Sequence, residues 1–427
     1  MSRLRLPFSE SFSSEVELAA VELSCAIERR VAEDPRVPYP VFTLDHPDTH
    51  DFDDAISANL SEDGRCLHCR VCISHAGPEL TPGSPVFEEA QIRGASIYLP
   101  DRVVPMLPAI LSDGTLSLKQ GHVRQALCLS FTLPSDPAMW VTPVDYSLDV
   151  HPVRVTRNVV YGQEFPSDFP ALLMNQWADW RRRTRSAAGA VILPRVRARP
   201  AKLADGSVVL SVTERDDAEH RMLEELMVFF NECVAEWCYL HAAPCLYRGS
   251  EPHRNPDQVA LWLRHSDHAL ARTQVFRHAG RALTSLQPVK HHTAGVERYA
   301  QATSPVRRFS DVLVHAAVGA LLRGEPALAG PAMLARFRAS ETGSDAGRRL
   351  TRHEERLAFQ SYYGGRSDQS IVILAPRRSS GNEEVDAVIA DMEIPVRLRT
   401  RLPVAAGDRV VARWVADAGD KLVFQAM

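Results

Sequence analysis

No run of 18 apolar residues occurs anywhere in the 427 positions of this chain, so a membrane-spanning helix is not expected. The opening residues, Met1-Ser2-Arg3-Leu4-Arg5-Leu6-Pro7, hold no apolar stretch of secretory-signal length, and a cytoplasmic location is expected. Basic excess is missing as well. Lys and Arg number 49 against 53 Asp and Glu, a net charge of −4, which excludes a protein that simply coats nucleic acid. It leaves room for local positive charge in a deep site. Cysteine is sparse, eight in all, too few for a disulfide scaffold in a chain this long. No Gly-rich phosphate cradle is present, so a nucleoside triphosphate cofactor is not expected. No internal repeat is visible. Apolar residues at 45% and charged residues at 24% are ordinary for a globular protein, and the length allows two or three domains.

What is present is concentrated in Asp45-His46-Pro47-Asp48-Thr49-His50-Asp51-Phe52-Asp53-Asp54. Five carboxylates lie in one short stretch, and each raises the cost of ionising the next. They either sit in open water or are offset by a cation. Val41 to Leu44 and Ala55 to Leu60 read as strands, with Pro47 in the turn between them. That fold-back converges Asp45, Asp51, Asp53 and Asp54 on one point. All-oxygen ligands suit Mg²⁺ or Mn²⁺ over zinc. A calcium loop of the EF-hand kind fails, because His50 and Ile56 occupy the positions that require Gly and Glu. A solvated acidic loop remains the plain alternative.

Cys66, Cys69 and Cys72 have a spacing that suggests metal. Strand alternation places Leu67, Cys69, Val71 and Ile73 on one face and Cys66 and Cys72 on the other, which splays the thiols apart. Two arginine clusters, Arg181-Arg182-Arg183-Thr184-Arg185 and Arg195-Val196-Arg197-Ala198-Arg199, line a channel or cover a solvated face.

Residues 1–37 read as a polar tail and a short helix, with Ser14 and Glu17 as a capping box and Leu18, Val21 and Cys25 on one face. The clearest helix is Glu219 to Leu240, with Met222, Leu223, Leu226, Met227, Phe230, Cys233, Val234 and Trp237 at helical spacing. From about 368 the chain reads as five short strands: Ile371–Leu374, Val385–Ile389, Ile394–Leu398, Arg409–Val415 and Lys421–Phe424. Ser379-Ser380-Gly381, Ala406-Gly407-Asp408 and Ala418-Gly419-Asp420 punctuate them. Such a run suits a small OB-like barrel, here with few strand aromatics (Trp414, Phe424) for base stacking. The expected fold class is α+β: a region 38–366 of mixed sheets and helices, then an OB-like barrel over 367–427.

Thr43-Leu44-Asp45 followed by Asp51-Phe52-Asp53-Asp54-Ala55-Ile56 resembles the signature of the ribonuclease II/R (RNB-domain) exoribonucleases. Further segments match in the same order. They are Arg93-Gly94-Ala95-Ser96-Ile97-Tyr98-Leu99-Pro100-Asp101-Arg102-Val103-Val104-Pro105-Met106-Leu107-Pro108, continued by Leu111-Ser112-Asp113-Gly114 with Ser117-Leu118, then Glu224-Glu225-Leu226-Met227 with Asn231-Glu232, then Tyr299-Ala300-Gln301-Ala302-Thr303-Ser304-Pro305-Val306-Arg307-Arg308-Phe309. The resemblance covers roughly 38–366 and implies a short form without N-terminal cold-shock-type barrels.

The resemblance implies a hydrolytic, Mg²⁺-dependent 3′-to-5′ exoribonuclease, Mn²⁺ substituting, that releases nucleoside 5′-monophosphates. Its partner is single-stranded RNA, entering a deep channel 3′ end first; no membrane partner is implied, and the chain is expected to be a monomer. Asp45 and Asp54 then hold metal directly, Asp51 completes the shell, and Asp53 is the aspartate whose loss should hurt catalysis most. Arg307 goes to the phosphate near the scissile bond, with Arg308 beside it. Tyr98 stacks on bases and Tyr161 holds the 3′ end. Glu224 or Glu225 reads the ribose 2′-OH, and Glu355 lines the same cavity. Each of these has a plainer alternative: a buried tyrosine with a satisfied hydroxyl, glutamates as good helix formers, an Arg307–Asp311 ion pair. Ser304 and Pro305 read as N-cap and N1 of a helix running to Leu322, whose N-terminus would receive phosphate. Two departures from the pattern are Phe309, where a tyrosine is usual, and His75, where an aspartate is common. Competing readings are a catalytically silent RNA-binding protein and a phosphodiesterase for short oligonucleotides.

Overall fold

A computed structural model describes residues 5–77, 80–142, 144–193, 196–214, 216–265, 268–364, 368–375, 384–390, 394–401, 403–417 and 422–427, together with Met392. Five strands, Tyr39–Asp45, Asp54–Leu60, Cys66–Ser74, Val123–Pro134 and Tyr146–Val160, close into a barrel in that order. All neighbours are antiparallel except the closing pair, where the first strand runs parallel to the fifth with Asp45 opposite Val160. The alternation read from Cys66–Ser74 holds. Leu67, Cys69, Val71 and Ile73 join the main core, while Cys72 packs with Val41, Ala55, Ala126, Cys128 and Val153 on the other face.

Helices cover the main-core face. Ala218–Leu240 buries Met222, Leu226, Phe230, Cys233, Val234 and Trp237, as its spacing predicts, and packs on Ala171–Ala187 through Trp177 and Met174. Phe309–Leu322 is buried on nearly every side. The 34-residue helix Gly330–Tyr363 packs across Pro85–Arg93. At that crossing a Cβ on Gly343 would collide with the carbonyls of Ile92 and Arg93. The backbones can approach so closely only because glycine stands there.

The N-terminal helix departs from expectation. It runs Ser14–Glu33, 20 residues, and Ser13 is its N-cap, accepting from the Val16 N–H. Its buried stripe is Val16, Ala20, Ser24 and Ile27, whereas Leu18, Val21 and Cys25 face outward. Small residues win this contest because the helix lies close against the Ile110–Thr115 segment and helix Pro85–Arg93. Ser24 reaches the Thr115 hydroxyl directly, and a Leu at that position would hold the helix away.

The C-terminal barrel is built from Gln369–Ala375, Glu384–Ile389, Ile394–Arg399, Arg409–Asp417 and Leu422–Ala426. Its strand order is 1-2-3-5-4, closed, with the third and fifth strands parallel. This is the connectivity of an OB-like barrel. Phe424 is fully buried in its core and offers no face for stacking, while Trp414 packs half-buried against that core. Two of the loop segments read as punctuation, Ser379-Ser380-Gly381 and Ala418-Gly419-Asp420, lie outside the described residues, as does Lys421. No helix among the described residues is long and apolar enough to cross a membrane.

Candidate active site

The acidic stretch sits where the first barrel strand turns into the second. Asp45 ends one strand and Asp54 opens the next, with Asp51 and Asp53 in the connection. The connection is held rigidly. Ser117 accepts from the Phe52 N–H and donates to the His50 carbonyl, both at 3.0 Å. The Ser74 and Leu118 N–H groups donate to the carbonyls of Asp53 and Phe52. Ser117, with Leu118, belongs to the segments that carry the family resemblance, but that resemblance assigns it no role.

Asp53 is 3% exposed. Its Oδ1 accepts from the Val306 N–H at 3.0 Å and its Oδ2 from Arg307 Nε at 2.8 Å. Burial pushes the Asp53 carboxyl up to about 7, against the opposing pull of Arg307 and the Val306 N–H. Asp45 and Asp54 are pushed upward too, first by burial and then by repulsion from neighbouring aspartates. Asp51 accepts from the Tyr98 hydroxyl at 2.6 Å. That phenol is raised well above its ordinary value by burial and by the Asp51 charge. The carboxylates thus border one site without meeting at one point. Among the described residues no three His, Cys, Asp or Glu side chains form a ready-made metal cage. Asp51 is drawn toward Tyr98 and Asp53 toward Arg307.

The arginines arrive differently from the sequence expectation. The helix begins at Phe309, so Ser304 and Pro305 are not its N-cap and N1. Residues 304–308 make a turn, with Arg307 and Arg308 N–H groups on the Ser304 carbonyl, and Arg308 then bridges Ala95 in an extended conformation. One i-to-i−4 bond forms, from Arg308 to Ser304, but the Phe309 N–H goes to the Gly94 carbonyl and not to Pro305, so the helical ladder does not continue from that turn. Gly94 has φ +71°, and a Cβ there would collide with Ser340 and Ser344, so this anchor point needs glycine. Arg307 pairs with Asp53 and with the Ser304 hydroxyl at 2.8 Å, not with Asp311. Asp311 instead holds Arg308 at 2.7 Å and the Ser304 N–H at 2.9 Å. Asn231 adds a second tie, accepting from the Ala302 N–H at 2.8 Å and donating to Tyr299.

Tyr161 follows the closing strand, and its N–H donates to the Asp45 carbonyl at 3.1 Å. Its ring stacks on His220 at 3.8 Å with planes 5° apart, and His46 lies 5.3 Å away. Asp217 accepts from His220 Nδ1 at 2.7 Å and fixes the imidazole. His46 and His220 were not singled out from sequence. Tyr98 therefore meets the acidic site through the Asp51 carboxylate and Tyr161 through the Asp45 carbonyl.

The glutamates separate. Glu224 is half-exposed, 3.5 Å from Arg182. Glu225 is 0% exposed and takes Arg185 on both oxygens, with Arg181 Nε 3.8 Å away. Arg185 also donates to the Ala294 carbonyl, and Arg181 to Glu232. Glu225 is thus enclosed by protein cations and does not present a free carboxylate to a ribose. Arg181 and Arg185 are absorbed by the same pairs, which answers for most of the first arginine cluster. In the second cluster Arg195 and the Arg197 side chain lie outside the described residues, and Arg199 is exposed.

His75 faces His315, Nδ1 to Nδ1 at 3.3 Å, and both are fully enclosed. Burial drives both imidazoles downward; His75 also feels His315 and Arg323, while His315, which donates to the Ala302 carbonyl and feels Asp311, falls to about 4. A base whose folded value is depressed leaves the unfolded chain binding more protons between that value and about 6.5. Stability is therefore expected to fall as pH drops from about 6.5 toward 4, by up to about 1.4 kcal/mol per pH unit for each histidine. Denaturant midpoints across that window should show a shallower slope in His75→Asn than in the unaltered protein. Identical slopes would remove the pair as the cause.

The RNB domain family model matches residues 37–324. Ribonuclease II, chloroplastic/mitochondrial, of Arabidopsis thaliana is 30% identical over 301 residues, which is 66% of this chain and 36% of that protein. The fold is shared with the Dss1 exoribonuclease of Candida glabrata, at TM-score 0.79 and 18% identity over 98% of this chain and 60% of that one. It is shared also with Mycoplasma genitalium RNase R in complex with ribose-methylated single-stranded RNA, at TM-score 0.76 and 16% identity over 96% and 77%. Yeast Ssd1, a pseudonuclease, is similar at TM-score 0.66 and 14% identity over 88% and 50%. The chain spans 36% to 48% of the length of the first curated relatives it matches.

Proposed function

Since the chain belongs to the RNB-domain family, matched over 37–324, we propose that it is a hydrolytic exoribonuclease. It acts on single-stranded RNA from the 3′ end, depends on Mg²⁺ and releases nucleoside 5′-monophosphates. One observation carries this reading: a buried Asp53 gripping Arg307 at 2.8 Å inside a ring of carboxylates. An anion-binding guanidinium beside cation-seeking oxygens is what a phosphodiester requires.

The residues suit Mg²⁺. Asp45 Oδ2 is buried without a hydrogen-bond partner, and every donor offered is a carboxylate oxygen. Mg²⁺ keeps several waters and is commonly held by one or two carboxylates plus substrate phosphate, so a closed protein cage is not required. Asp45 and Asp54 would hold it, with Asp51 completing the shell. Bound there, the ion supplies charge neutralisation at the phosphate and a more acidic attacking water. Arg307 orients the phosphate, fixed in turn by Asp53 and Ser304. Tyr98 and the Tyr161–His220 stack offer flat surfaces to bases on either side. Arg308, held by Asp311, positions the turn that carries Arg307. Glu224, half-exposed, remains the glutamate able to meet the ribose 2′-OH.

A 5′-labelled single-stranded RNA tests the reading. With Mg²⁺ the label should move to progressively shorter products as nucleoside 5′-monophosphates appear. Excess EDTA should stop this, Mg²⁺ or Mn²⁺ should restore it, and DNA of the same sequence should be cut far more slowly. Undiminished activity in chelator would mean the aspartates serve something else. Binding without any cleavage would favour the silent RNA-binding reading, to which the likeness to a pseudonuclease lends some support.

A further inference from the structure

The closing pair of the first barrel carries an irregularity just before the acidic loop. Val41 stands opposite Val155, but Phe42 stands opposite Arg157, so Thr156 has no partner across the pair. Its hydroxyl donates instead to the Val41 carbonyl at 2.9 Å. Such a bulge shifts every later pairing by one residue and re-aims the side chains that follow. Without it Thr43 would face Arg157, and with it Thr43 stands opposite Asn158.

The Asn158 amide is used at both ends. Oδ1 accepts from the Gln120 N–H at 2.8 Å, while Nδ2 donates to the Leu118 carbonyl at 3.0 Å and to Thr43 Oγ1 at 2.8 Å. A backbone N–H can only donate and a carbonyl can only accept, so the amide has one possible orientation. Thr43 Oγ1 receives an N–H and is left to donate its own proton. Thr43 is 0% exposed and sits two residues before Asp45, on the same face of the strand. Burial raises the Asp45 carboxyl, and a hydrogen bond from the Thr43 side chain is the largest pull the other way. The other arm of the amide ends on Leu118, whose N–H holds the Phe52 carbonyl between Asp51 and Asp53. One side chain thus links the strand end that carries Asp45 to the segment that pins the remaining aspartates.

We propose that Asn158 and Thr43 are positioning residues for the cation-holding aspartates, Asn158 acting through Thr43 and Leu118, and Thr43 acting through the Asp45 carboxylate. The proposal rests on the Mg²⁺ reading of the acidic loop. A carboxylate already held in place loses less freedom when a cation arrives, and the partner that holds it raises affinity without touching the ion. The plainer role for the amide is to seal the barrel where its first and fifth strands meet. That role predicts lost stability with unchanged cation affinity, so the two can be told apart.

Mn²⁺ titrated into the full chain without RNA, followed by loss of the free ion's electron paramagnetic resonance signal, tests this. Asp45→Asn, which removes a ligand outright, marks the part of the signal that belongs to the loop. Asn158→Ala and Thr43→Val are expected to weaken that part by about 10- to 100-fold, the scale of removing a hydrogen-bond partner from a metal ligand. Thr43→Ser keeps the hydroxyl and should restore most of the affinity. In cleavage assays the Mg²⁺ concentration giving half the maximal rate should rise by the same factor, and excess Mg²⁺ should recover the rate by mass action. Urea midpoints are measured on each protein, and if Asn158→Ala fails to fold, the comparison of Thr43→Val with Thr43→Ser still decides. A lowered midpoint with unchanged Mn²⁺ affinity overturns the proposal, as does a serine variant no better than the valine one. Absence of Mn²⁺ binding to the unaltered protein would remove the Mg²⁺ reading and the positioning role together, whereas equal binding by the unaltered protein and both variants would remove the positioning role alone.

Discussion

Asp53→Asn is expected to lower the cleavage rate by a factor on the order of 10²–10³ while leaving RNA binding intact or tighter. That is the scale of removing one preorganised electrostatic contact. The carboxylate serves two donors at once, the Val306 N–H and Arg307 Nε. An amide of the same size has one oxygen for those two donors, and its NH₂ must face the other. Arg307 then loses its anchor and the phosphate loses a repelling charge nearby. Rate and affinity should therefore move in opposite directions. Single-turnover cleavage and gel shift on one preparation would show it. A rate within a few-fold of the unaltered protein would sink the assignment of Asp53.

Glu225→Ala should act on stability instead. Its carboxylate is fully buried between Arg185 and Arg181, themselves buried. Removing it leaves the buried Arg185 guanidinium with its charge unmatched, while Arg181 keeps Glu232 at 2.8 Å, and a loss of about 3–5 kcal/mol is expected. Replacing Glu225 and Arg185 together by leucine should cost less than the single change, because no guanidinium is then left without a carboxylate, Arg181 keeping Glu232. Urea unfolding of the three proteins measures both quantities. A single-variant loss below about 1 kcal/mol would show that Arg185 finds another partner.

Much of the fold could be read because it depends on local pattern. The alternation of Cys66–Ser74, the 3.6-residue stripe of Ala218–Leu240 and the five strands of the last barrel each follow from sequence neighbours. The site was readable as a list and much less so as a geometry. Ser304-Pro305 carries a sound local signal for a helix start. It is overridden by a partner far away in sequence, the Gly94 carbonyl, which takes the Phe309 N–H that the helical ladder would use. Glu225 and Arg185 are 40 residues apart, and nothing in either segment marks one as the other's partner. The face of the N-terminal helix was misread because hydrophobicity favours Leu18 and Val21, whereas close approach to the Ile110–Thr115 segment favours Ala20 and Ser24.

The parallel closing pair of the first barrel, Tyr39–Asp45 beside Tyr146–Val160, has a consequence for how the chain acquires its shape. During synthesis the opening strand has an unpaired edge until more than a hundred further residues have emerged, and such an edge is a template for another chain. Asp53 must wait longer still, since its partner lies 254 positions later. Contacts of such long range are slow to form, because the loop entropy is lost before the contact rewards it. The acidic loop thus takes its working form late, and a nascent chain stopped between the two strands is the species most exposed to aggregation.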